Sequence, residues 1–189
     1  MTKAELRRAV LAERDGLAPE FRQQASSALV DYVDQLPLEP SCIASAFLPI
    51  RSEIDLQPLM KVLAQRGVPL CLPVVLDRET IVFRRYDRKA DLVDTGFGTR
   101  GPGPEAETVD PDVMLVPLAA FDCSGNRIGY GAGHYDRAVA RLTNVRKKPQ
   151  LIGCAFACQE VESIPAEPHD VPLDAVLSEE GFRRFHRDP

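Results

Sequence analysis

Apolar positions follow helical spacing over the first 36 residues and then gather into short runs separated by turns. Thr2 stands three residues before Glu5, a capping box that predicts a helix start, and Leu6, Val10 and Leu11 mark its apolar face. Asp15-Gly16-Leu17-Ala18-Pro19 breaks the pattern, and a second helix is predicted over 19–35 from Phe21, Ala25, Ala28, Leu29, Tyr32 and Val33. Strands are predicted over 42–48, 68–72, 81–86, 113–116, 151–156 and 175–177, with helices over 55–65 and 135–142. Strands that alternate with helices and are apolar throughout predict a mostly parallel sheet covered on both faces. Residues 87–111 hold Gly101-Pro102-Gly103-Pro104 and few apolar positions, and are expected to form a long functional loop. With no repeat and no linker, one domain spanning 1–189 is expected.

Composition narrows the class. Hydrophobic residues make up 44% and charged residues 27% of the 189, the balance of a folded globular chain. The net charge of −5 argues against a general nucleic-acid binder, and no basic helix face suits a membrane surface. Charge at Lys3, Glu5, Arg7 and Arg8 stands where a leader would be apolar, and no apolar run approaches the ~20 residues of a membrane span. A cytoplasmic protein is expected. An anionic ligand would need a local cluster of donors, because the overall field repels it. The five cysteines (42, 71, 123, 154 and 158) are odd in number and irregular in spacing, and most lie in apolar runs; they read as reduced, buried thiols.

One segment carries chemistry. Residues 117–137 run from a predicted buried strand into a predicted helix, and Gly129, Gly131 and Gly133 alternate within them. Glycines so placed let the backbone approach a ligand and turn amides toward it, and a helix start adds donors suited to phosphate. Arg127 and Arg137 add positive charge, and Asp136 adds a carboxylate of the kind Mg²⁺ prefers. The run is neither a dinucleotide fingerprint nor a P-loop. On spacing alone, a glycine-rich connection without a ligand stays open.

The same segment resembles the signature of the 5-formyltetrahydrofolate cyclo-ligases: Pro117, Phe121-Asp122, Gly125, Arg127-Ile128-Gly129, Gly131, Gly133 and Tyr135-Asp136 stand where that family's motif has them. Lys3 and Arg7 resemble its N-terminal basic pair, 47–55 the block after its first strand, 152–159 its Ile-Gly-x-Ala-Phe-x-x-Gln run, and 165–174 its C-terminal block. The resemblance therefore spans nearly the whole chain. It implies a three-layer, Rossmann-like α/β sandwich, related to sugar-isomerase and CoA-transferase architectures. It also implies an enzyme that uses ATP and Mg²⁺ to close 5-formyltetrahydrofolate, with or without a polyglutamate tail, into 5,10-methenyltetrahydrofolate, and that acts as a monomer without nucleic acid or membrane.

By the match, Lys3, Arg7 and Arg127 would contact ATP phosphates. Ile128, Gly129, Tyr130, Gly131, Ala132, Gly133, His134 and Tyr135 would wrap the nucleotide. Asp136 and Asp170 would hold Mg²⁺. Leu48, Glu53, Tyr130, Gly131 and His134 would line the folate site, and Arg127, Tyr135 and Asp136 would be the catalytic set. Read without the match, Lys3 and Arg7 form a solvated helix face, Glu53 favours a helix N-terminus, Asp170 and His169 occupy a turn, and His186 is exposed. Two departures stand out: His134 replaces a tyrosine, and 99–105 lacks the family's usual loop motif. They leave open a protein that binds folate or nucleotide without turnover. A sugar-phosphate isomerase is a third reading, one that gives Lys3, Arg7, Asp136 and Asp170 no evident task.

Overall fold

The computed structural model describes residues 1–39, 41–87, 91–96, 98–145, 148–167 and 170–186. Helix α1 (Lys3–Asp15) begins with the capping box its sequence predicts: Thr2 accepts from the Glu5 amide, and Glu5 Oε2 accepts from the Thr2 amide at 2.7 Å. Helix α2 (Pro19–Ala28) starts on proline and tightens into a 3₁₀ helix over Leu29–Gln35. The single helix expected over 19–35 thus changes pitch where Val30, Tyr32 and Val33, weak helix formers, cluster. There follow β1 (Ala44–Ser45), α3 (Gln57–Gln65), β2 (Leu70–Val75), β3 (Ile81–Arg85), β4 (Leu92–Gly96), β5 (Thr99–Pro102) and β6 (Val113–Pro117). The remaining elements are β7 (Ala120–Asp122), β8 (Arg127–Ile128), α4 (His134–Val145), β9 (Gln150–Cys154), a 3₁₀ turn over Ala157–Gln159, β10 (Glu160–Val161), β11 (Ala175–Ser178) and β12 (Gly181–Arg184).

Seven strands form the main sheet, in the order β12-β11-β9-β6-β1-β2-β3. All neighbours from β11 to β2 are parallel, and an antiparallel strand closes each edge. The two faces can be read along β6. Val113 and Leu115 enter a core with Leu29, Leu59, Met60 and Leu63 of the α2–α3 side, while Met114 and Val116 enter a core with Ala138, Val139 and Leu142 of α4. This period of two, with both faces buried, explains why β6 reads as a continuous apolar run. The fold is α/β, with helices on both sides of a mostly parallel sheet, as expected.

A smaller sheet, β10-β7-β8, lies under α1, with Val10 packed among Ala119, Ala120, Ile128 and Ile164. Segment 87–111, expected as a loop, instead contains the antiparallel hairpin β4–β5, joined to β3 by a bond from Arg84 Nη1 to the Pro102 carbonyl at 3.1 Å. Its glycines and prolines hid a strand pair with little apolar content. All five cysteines are free. Cys71 and Cys154 are buried in strands, and burial pushes both thiols up, while Cys123 is exposed. Among the described residues no helix is long and apolar enough to cross a membrane.

Candidate active site

Parallel strands end together, so the loops leaving their carboxyl ends form a shared rim, the usual ligand position in such sheets. The segment after β6 turns through β7 and β8, crosses the rim as the glycine run, and enters α4. Gly131 (φ 102°) and Gly133 (φ 65°) hold left-handed backbone that other residues adopt only with strain, which accounts for those two glycines. The loop after β1 carries Leu48, Ser52 and Glu53, and Glu167, Asp170 and Val171 meet the site through Lys3, Arg127 and Asp136.

Helix α1 lies along this rim, and one stripe of it faces the site. Lys3, Arg7, Val10 and Arg14 are spaced by four, three and four residues, which places them on a single helix face. Lys3 Nζ lies 2.6 Å from Asp170 Oδ2 and 3.1 Å from Glu167 Oε2. Partial burial opposes its charge, but the hydrogen bonds and charges of Asp170 and Glu167 outweigh it, and the amine stands above its usual pKa. Arg7 Nε donates to the Gly129 carbonyl at 2.7 Å, pinning the glycine run to α1. The two basic residues therefore face the site, and each keeps partial contact with solvent.

Arg127, on β8, is nearly buried, its side chain 7% exposed. Its Nη2 lies 2.7 Å from Asp136 Oδ1 in the first turn of α4, and its Nη1 donates to the Val171 carbonyl. The Val171 amide donates to the same Asp136 oxygen at 3.2 Å, so Asp136 sits beside the segment that carries Asp170. Among the described residues no three His, Cys, Asp or Glu side chains gather as a metal cage. Mg²⁺ does not need one: it takes one or two carboxylates and completes its shell with phosphate oxygens and water. Asp136 and Asp170, each paired with a cation beside the glycine run, are carboxylates of the kind that ion takes.

At the other end of the rim, Glu53 is 9% exposed. Burial pushes its carboxyl above the usual range, while the Ile50 amide (2.8 Å), the Tyr130 hydroxyl and the Arg14 charge pull it back. Tyr130 is 45% exposed as a residue, yet its hydroxyl is held inward by Arg14 Nη1. Burial, then the Glu53 charge, raises that hydroxyl's pKa, so it stays neutral. Leu48 packs on the edge of the α2–α3 core. Gly131 and Ala132 are exposed between these two ends.

The remaining predicted residues are placed differently. Ile128 is buried in the α1 cluster and its carbonyl accepts from the Ala119 amide at 2.7 Å, so its side chain serves the core. Tyr135 packs on the α4 core, and burial raises its hydroxyl's pKa. His134 Nε2 lies 2.9 Å from the Arg78 carbonyl and donates to it, tying α4 to the β2–β3 turn. Arg137 joins this clasp through Nε to Glu79 O at 2.7 Å and Nη2 to Ala132 O at 2.6 Å. His186 is exposed as expected, and His169 lies outside the described residues.

Three polar residues have structural roles that the sequence did not assign, although Asp122 and Gln159 lie within the motifs that carry the resemblance. Asp122, at the end of β7, accepts from the Ser124, Asn126 and Ile164 amides and from the Asn126 side chain. Gln159 donates to the Leu118 and Ala119 carbonyls at 2.9 and 3.0 Å, holding the turn after β6. Arg14, 2% exposed, is the third. Extending the Lys3/Arg7 face by the helical repeat would have found it.

The chain matches the family model described as "5-formyltetrahydrofolate cyclo-ligase family" over residues 1–179. It is 33% identical over 178 residues to the 5-formyltetrahydrofolate cyclo-ligase of Escherichia coli (strain K12), covering 91% of this chain and 93% of that protein. It is also 33% identical over 186 residues to the enzyme of that name from Mycolicibacterium smegmatis, covering 94% and 93%. The solved structure of Aquifex aeolicus 5,10-methenyltetrahydrofolate synthetase superimposes with a TM-score of 0.82 at 33% identity, covering 100% of this chain and 95% of that one. A match over this length, with the same fold, makes the chain a member of the 5-formyltetrahydrofolate cyclo-ligase family of enzymes.

Proposed function

We propose that this enzyme converts 5-formyltetrahydrofolate to 5,10-methenyltetrahydrofolate with ATP and Mg²⁺, as one domain acting as a cytoplasmic monomer. The formyl oxygen attacks the γ-phosphorus and ADP departs; N10 then attacks the activated carbon, and the oxygen leaves with phosphate. An amide-like oxygen is a poor leaving group until it is phosphorylated, so the protein's work is positioning and charge stabilisation. Mg²⁺, when bound, neutralises charge on the phosphate oxygens.

The observation that carries this reading is the pairing at the rim. Two of the three cations assigned to phosphate are joined to a carboxylate assigned to the metal: Lys3 to Asp170 at 2.6 Å and Arg127 to Asp136 at 2.7 Å. Both pairs flank the glycine run, and Arg7 anchors that run from α1. In this structure the charges satisfy one another; Asp136 and Asp170 would hold Mg²⁺, and Lys3 and Arg127 would then be available to phosphate oxygens. The amides of Gly129 to Tyr135 follow the phosphates. At the other end, Glu53 accepts from pterin N–H groups, Tyr130 offers a flat ring, and Leu48 and Gly131 complete the wall, while His134 stays tied to the Arg78 carbonyl. The test is methenyl absorbance with purified protein, 5-formyltetrahydrofolate, ATP and Mg²⁺. Product formation that requires all three supports the reading, and its absence overturns it.

A further inference from the structure

Arg14 is a cation placed 2% exposed at the inner end of α1, seven residues beyond Arg7 on the same face. A buried guanidinium is costly unless its donors are used. Its Nε donates to Ser52 Oγ at 3.0 Å and its Nη1 to the Tyr130 hydroxyl. Ser52 in turn donates to the Asp15 carboxylate, so the residue next to Arg14 fixes the same hydroxyl from its other side. The guanidinium carbon lies 5.7 Å from the Tyr130 ring centroid. Two segments meet on this one side chain: the loop after β1, which carries Glu53, and the glycine run, which carries Tyr130.

Left alone, these two segments have separate reasons to move. Arg51 occupies left-handed backbone (φ 57°) one residue before Ser52, and Tyr130 lies between Gly129 and Gly131. We infer that Arg14 is a positioning residue that sets the Tyr130 ring and the Glu53 carboxylate in register for a flat heterocycle with adjacent N–H donors. It touches neither the nucleotide end of the rim nor the proposed substrate directly. Its fixed donors orient the Tyr130 hydroxyl, and its charge helps keep the buried Glu53 carboxylate ionised and able to accept. Lysine could not hold both oxygens, because its single point charge lacks the planar fork.

This inference rests on the function proposed above, and the wild-type assay tests that function separately. The variants are Arg14→Met, Arg14→Lys, Tyr130→Phe and the double variant Arg14→Met/Tyr130→Phe, measured for steady-state rates and for direct binding of 5-formyltetrahydrofolate in the absence of ATP. Arg14→Met is expected to raise KM and Kd for the folate about tenfold, the loss expected when a charge-assisted hydrogen bond that orients a binding group is removed. KM for ATP should stay within about twofold. Tyr130→Phe should reproduce part of the folate effect, and the double variant should fall short of the product of the singles, since both act through one bond. Should Arg14→Met fail to fold, Arg14→Lys carries the test, with a smaller rise in folate KM alone. An equal loss of folate and ATP binding, an unchanged folate Kd, or fully multiplicative single effects would overturn the assignment.

Discussion

Replacing Asp122 with alanine removes an acceptor from the turn that delivers Arg127 to the rim. The carboxylate is 2% exposed. One oxygen takes the Ser124 and Asn126 amides, each at 3.0 Å, and the other takes the Asn126 side chain and the Ile164 amide, each at 2.9 Å. The Ile164 bond is fully buried, so its loss leaves an unsatisfied donor costing about 1–3 kcal/mol. The other three are part-buried and recover water in place of the carboxylate, so about 0.5–1 kcal/mol each is the fair charge. The total is about 2.5–6 kcal/mol, and for a chain of this size each kcal/mol lowers Tm by about 2–4 °C. Asp122→Ala should therefore melt roughly 10 °C below the wild type in thermal unfolding, and its denaturant midpoint should fall with it. Asp122→Asn, which keeps one accepting oxygen, should lie between the two. Activity should fall in both, because Arg127 begins β8 directly after the turn. A drop of less than about 2 °C in Asp122→Ala would refute the view that this carboxylate holds the turn.

Asp136→Ala is expected to lose Mg²⁺-dependent turnover by about a hundredfold or more while keeping a cooperative unfolding transition; full activity would remove its assigned role. Gly153→Ala would place a Cβ 2.6 Å from Leu118 Cδ2 and 2.7 Å from Leu173 Cδ1. Overpacking there should cost about 1–3 kcal/mol in denaturant unfolding, and an unchanged midpoint would contradict the packing. For Glu53 the folded carboxyl binds its proton more tightly than the unfolded one, so its contribution to stability is full below the usual carboxylate range and is lost as pH rises through the raised value. Wild type should thus lose stability relative to Glu53→Gln across that window, and a difference independent of pH would show that Glu53 is not desolvated.

Elements with a long, regular period were legible in the sequence. The capping box at Thr2 and Glu5 located α1, and the apolar runs over 113–116 and 151–156 located two central strands, found at Val113–Pro117 and Gln150–Cys154, because burial on both faces leaves few polar positions to confuse them. The short strands of the small sheet were not legible. Ala120–Asp122, Arg127–Ile128 and Glu160–Val161 are two or three residues each, too few to establish a period, and they exist because the turn held by Asp122 and Gln159 brings them together. The site was half legible. The glycine run announced itself through residue type. Arg14 did not, since a lone arginine in a charged helix carries no mark of burial; only its place in the Lys3, Arg7, Val10 stripe does.

That stripe also resolves a difficulty posed by the net charge. A chain at −5 must bind a polyanion through cations that are local and ordered, yet ordered cations at an acidic rim pair with its carboxylates. The two resting pairs differ in how readily they can be exchanged. Lys3 and Asp170 have side chains 23% and 25% exposed, and an ion pair in such contact with solvent is worth about 1 kcal/mol or less, so its partners change at little cost. Arg127, at 7%, is further held by the Val171 carbonyl, and leaving Asp136 would strand a nearly buried charge. Arg127 can let go only when another anion takes its place in the same step. Under the proposed function, the outer cation, on α1, would be the first to meet an incoming phosphate, and the inner one would wait for a ligand already seated against the glycine run.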